Sequence, residues 1–78
     1  MNKYLVPICD IEAGVCWIQT IMAKSLKDCQ EKCISFIIDY YDFTDLDDSM
    51  SYSDFHNKLN FDYNIIIGNI TDIDEVWN

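Results

Sequence analysis

Six aspartates fall within the sixteen residues DYYDFTDLDDSMSYSD: Asp39, Asp42, Asp45, Asp47, Asp48 and Asp54, with no lysine or arginine between Lys32 and Lys58. Carboxylates at this density can hold a cation, trade protons as an acid–base pair, or present negative charge to a basic partner. A calcium loop needs oxygen ligands at alternate positions, a glycine at the sixth and a bidentate glutamate at the twelfth. Counting from Asp45 places Asp47 and Ser49 correctly, but Met50 takes the glycine position and His56 the glutamate position. Acid–base work requires one carboxyl raised in pKa by an apolar pocket, whereas these aspartates crowd a polar connection. His56 is the only histidine and the chain has two glycines, with no phosphate-cradling loop and no nucleophile elbow. The expectation is therefore no catalytic residue, no metal site and no cofactor.

The third chemistry remains. Residues 1–32 are neutral, with Asp10, Glu12, Asp28 and Glu31 balanced by Lys3, Lys24, Lys27 and Lys32. From Cys33 onward ten acids meet Lys58 alone, so the whole net charge of −9 belongs to the second part. Such a field repels nucleic acid and anionic lipid and draws in cationic surfaces. The plain reading of a charge run is a solvated helix end, but two features argue for more. Asp39 and Asp42 fall at the C-terminal end of an expected helix, where the dipole disfavours negative charge. Carboxylates three apart on a helix or two apart on a strand are spaced about 4.5 to 6.6 Å, comparable with the roughly 3.4 Å between phosphates along a DNA strand. Tyr40, Tyr41, Phe43 and Tyr52 interleave with them, and Tyr41 and Tyr52 are the candidate apolar anchors of a partner-binding surface.

Four cysteines, Cys9, Cys16, Cys29 and Cys33, invite a disulfide or zinc reading. Cys29 and Cys33 lie four apart on a helical stripe, which suits small buried side chains better than a metal knuckle. The opening MNKYLVPICD has too short an apolar run for a signal-peptide core, and no segment approaches the length of a membrane span. The expectation is a cytoplasmic protein with reduced thiols. The glycosylation triplet Asn69-Ile70-Thr71 would matter only in a secreted protein.

The elements that must position these residues can be read from periodicity. KYLVPICDIEAGVCWIQTIMA predicts a β-hairpin with a three-residue loop, Glu12 to Gly14, which sets Ile11 against Val15 and Cys9 near Trp17. Pro7 lacks an N–H, so the first strand should lie at an edge or carry a bulge there. Ser25, three residues before Asp28, caps a helix whose apolar stripe is Leu26, Cys29, Cys33, Phe36, Ile37, Tyr40 and Tyr41, ending near Tyr41. Ser51 and Asp54 repeat the cap for a short second helix. FDYNIII predicts a strand, and the residues after Gly68 either continue it past a bulge or turn near Thr71. One domain, 1–78, of class α+β and order ββα(α)β follows, with a three-stranded, mainly antiparallel sheet and one long helix packed across it.

A short acidic domain of this kind resembles the small inhibitors with which phages and mobile elements counter host defences, anti-CRISPR proteins and DNA mimics among them. Within it, Ile21, Ala23, Ser25 and Cys29 of TIMAKSLKDC resemble the strand-to-helix junction V-x-A-x-S-x-x-x-A of small phage-encoded ββα domains, with cysteine in place of the last alanine. The resemblance implies an inhibitor whose partner is the basic, nucleic-acid-binding surface of a host nuclease complex. The alternative is a regulatory or structural interaction module, homodimeric through a strand edge or through Trp77 and neighbouring apolar residues.

Overall fold

A computed structural model describes residues 1–74 of the chain. Nine-residue strands β1 (Asn2–Asp10) and β2 (Val15–Ala23) form the hairpin, followed by helix α1 (Leu26–Tyr41), helix α2 (Tyr52–Lys58), a π-helical turn Leu59–Tyr63, and short strands β3 (Ile65–Ile67) and β4 (Thr71–Asp72). The α+β reading, the single compact body and the antiparallel sheet under one long helix hold. The expected third strand is present as two pieces, β3 and β4, both antiparallel to β1.

Alternation places Tyr4, Val6, Ile8 and Asp10 of β1 on the helix side of the sheet, all buried. Cys29, Cys33, Ile34 and Ile37 of α1 cover them, and Phe55 and Leu59 close the core from α2 and the turn after it. The two caps are made as the sequence predicts: Ser25 Oγ accepts from Asp28 N at 3.2 Å and Ser51 Oγ from Asp54 N at 3.1 Å. α1 stops at Asp42, which adopts the left-handed conformation at φ 57°, a region that Asp and Asn enter more readily than most residues. Asn64 does the same after the π turn, at φ 54°.

Three expectations are corrected. The hairpin loop has four residues, because Asp10 pairs Val15 and Cys9 pairs Cys16 directly. Asp10 Oδ1 accepts from Ala13 N at 3.1 Å and Gly14 N donates to Ile11 O at 3.2 Å, so a side-chain acceptor stabilises the longer turn. Gly14 still takes the left-handed position, φ 71°. FDYNIII is a strand only from Ile65, since Leu59–Tyr63 prolongs α2 to keep Leu59 in the core below Phe55.

Pro7 sits in the central strand, not an edge. The irregularity falls on its neighbour: from Ile8 opposite Ile67 to Leu5 opposite Thr71, the partner uses one residue more than β1. Gly68 N donates to Pro7 O at 2.8 Å. Pro7 has no N–H to return, so the ladder is half made there and the partner bulges, parting β3 from β4.

Candidate acidic interface

The sequence-predicted aspartates come from three different backbone contexts. Asp39 is on the exposed side of α1's last turn, and Asp42 is its left-handed cap. Asp45, Asp47 and Asp48 belong to the connection to α2, which Leu46, 7% exposed, pins to the core. That pin folds the connection back over α1. Asp39, Asp45, Asp47 and Asp48 consequently line one open depression of about 570 Å³, with Ile38 and Leu46 also among its lining. Asp42 and Asp54 do not line it; Asp54 occupies the first turn of α2, where its own N–H completes the Ser51 cap.

Internal partners in this region are local. Asp47 Oδ1 accepts from Ser49 N at 2.8 Å, and this backbone hydrogen bond holds its carboxyl below the usual carboxylate range. Asp45 Oδ2 accepts from the Tyr63 hydroxyl at 2.5 Å, which, with burial second, raises that phenol to about 12. Among the described residues the ion pairs are Lys32–Asp28 at 3.4 Å and Lys58–Asp62 at 3.0 Å, and neither includes a carboxylate lining the depression. Among the described residues no three His, Cys, Asp or Glu side chains are placed to share a metal ion.

The two predicted anchors have structural duties. Tyr41 is half-buried and donates its hydroxyl to Asp10 Oδ2 at 2.9 Å; burial, then this bond, raise its pKa to about 12. Tyr52 is partly buried against the core, and burial pushes its phenol upward. The exposed rings are others. Tyr40 is 61% exposed and Phe61 87%. Tyr40 belongs to a ladder of rings that runs from Trp17 (5.4 Å) through Tyr41 (4.9 Å) and Phe43 (5.2 Å) to Tyr63 (4.3 Å), bordering the acidic region. The helical stripe counted Tyr40 as apolar face, and the strand reading of FDYNIII hid Phe61; its only signal was an aromatic two residues past the core Leu59. Trp77, a candidate contact of the alternative reading, lies outside the described residues.

His56 Nε2 lies 2.9 Å from Ile67 O, and because a carbonyl only accepts, this ring nitrogen donates there and leaves Nδ1 as the acceptor.

The reduced-thiol reading is half corrected. Cys29 and Cys33 are fully buried thiols, and burial, with Cys29 second, pushes Cys33 up to about 12. Cys9 and Cys16 are joined by a disulfide on the opposite face of the sheet. The one-residue register correction is what brings these two side chains together.

No model of a known protein family matches the chain, and no characterised protein or solved structure is significantly similar to it. Among the described residues no helix is long and apolar enough to cross a membrane.

Proposed function

We propose that the protein is a non-catalytic acidic binder that docks onto a cationic protein surface, of the kind that grips phosphates in a nucleic-acid-binding nuclease complex, and blocks it sterically. One observation carries this reading: four carboxylates from α1 and the following connection line one depression, and among the described residues no lysine forms an ion pair with them. Gathering like charges in one place opposes folding, and a partner's lysines and arginines would relieve that repulsion on binding. Tyr40 and Phe61 supply the apolar contact that charge alone lacks, Tyr40 as a face for a guanidinium.

The counter-defence role implied by the resemblance places the protein in a host cytoplasm. There glutathione would hold Cys9 and Cys16 as the dithiol, and the nine-pair ladder between β1 and β2 would keep the hairpin together without the bridge. Affinity capture from a bacterial lysate at low and high salt tests the proposal. Retention of a basic, nucleic-acid-binding partner that weakens steeply with salt is expected, as is its loss when Asp39, Asp45, Asp47 and Asp48 are all changed to Asn. Capture that survives both high salt and the fourfold variant would overturn it.

A further inference from the structure

Among the described residues both edges of the sheet are guarded, and one face is apolar and exposed. Along the free edge of β2 the carbonyls of Met22 and Thr20 already accept from Lys32 Nζ at 2.9 Å and Gln19 Nε2 at 3.4 Å. The opposite edge is broken by the bulge after Gly68. Interrupted or side-chain-capped edges are poor templates for strand addition. Among the described residues the face turned away from α1 carries exposed apolar side chains. Ile18 is 63% exposed there, Met22 46% and Ile66 37%, with half-buried Leu5 and Pro7 between them.

We infer that this face is the docking surface for a second copy of the chain, giving a two-fold dimer in which two sheets stack face to face. The charge distribution selects this occupant. In a chain of net charge −9, the strand residues on this face include one charged side chain, Lys3. Two copies that meet here keep the carboxylates around α1's end on their far sides. Any approach through the acidic surface would set like charges together. A basic partner, by contrast, is drawn to the acidic side and gains nothing here. Two sheets of the same right-handed twist are also self-complementary, packing about 10 Å apart with strands inclined by roughly 30°.

The size of the face sets the strength. Two nine-residue strands with the short β3 and β4 beside them give a face of roughly 30 by 14 Å, on the order of 400 Å² in plan. Two such faces together cover roughly 800 Å², at the small end of protein interfaces, so the dimer is expected to be weak and to dissociate in the micromolar range or above. The acidic depression stays open in it, so this inference does not depend on the proposed function.

Sedimentation velocity over a concentration series tests it. The expected result is a mass that climbs from 9.2 kDa toward twice that value, with dissociation weakened by at least about tenfold in Ile18→Asp and in Met22→Asp. Thr20→Arg, on the same face, is the third variant. Circular dichroism and the unfolding midpoint of dilute protein separate lost association from lost folding, and Asp48→Asn should associate like the parent. A parent chain that stays monomeric at several hundred micromolar, or a dimer that persists in all three face variants, would overturn the inference.

Discussion

Asp10 shows how a residue's role can be invisible in its neighbourhood along the chain. It is 8% exposed and serves two distant-looking needs, closing the hairpin turn through Ala13 N and taking the Tyr41 hydroxyl across from the end of α1. Asp10→Ala leaves both donors without their partner, and a loss of about 1 to 3 kcal/mol is expected by urea denaturation. Tyr41→Phe removes only the hydroxyl and should cost less, on the order of 1 kcal/mol. The phenols also set an alkaline limit. Tyr41 and Tyr63 both titrate near 12 in the folded chain against an ordinary 10.0. The folded state therefore holds these protons more tightly than the unfolded one, and their contribution is complete below pH 10 and is lost as pH climbs through 12. Unfolding midpoints should be level on the neutral side of that window and fall within it, less steeply in Tyr41→Phe. The sequence offered Tyr41 as an anchor for a partner because its spacing on the helix was legible. Its hydrogen-bond partner, thirty-one residues away, was not.

At the level of elements, local chemistry was easy to read and pairing was not. Ser25 and Ser51 announce their helices because an N-cap needs only a hydroxyl and the next few backbone amides. Ser25→Ala should cost about 1 kcal/mol of stability. Strand pairing depends on groups that no short window contains. One additional residue in the loop shifted every cross-strand partner and set Cys9 against Cys16. The bridge closes a short loop, sequence separation 7, for which loop-closure entropy gives about 2 kcal/mol. Cys9→Ser with Cys16→Ser should lower stability by that order under oxidising conditions and change nothing under reducing ones. Thiol labelling of the denatured, unreduced parent should find two reactive cysteines, Cys29 and Cys33. Pro7 makes the same point for the third strand. A Cβ on Gly68 would sit 3.2 Å from Pro7 Cβ, on a ring with little freedom to move. Gly68→Ala is therefore expected to cost about 1 to 2 kcal/mol, measured by thermal unfolding.

For the whole molecule the deciding quantity is where charge and apolar surface end up relative to each other. Carboxylates line one depression near the end of α1, and an almost uncharged sheet face looks the other way. Asn substitutions at Asp39 and Asp48 should raise the melting midpoint at low salt, an effect that fades as salt is added, while weakening capture of a cationic partner. Opposite signs for stability and binding in the same variants are the signature expected of charge kept for an external partner. The sequence by itself determined the α+β class, both helices and their caps, the buried pair Cys29 and Cys33, and the concentration of charge after Lys32, since each follows from composition or from spacing within a few turns of chain. Tertiary structure alone decided the register of the hairpin, the splitting of the last strand opposite Pro7, the disulfide, and which aspartates share a surface. Those depend on long-range contacts: a buried Leu46 that folds the acidic connection back, and a proline whose missing donor is felt only by the strand beside it.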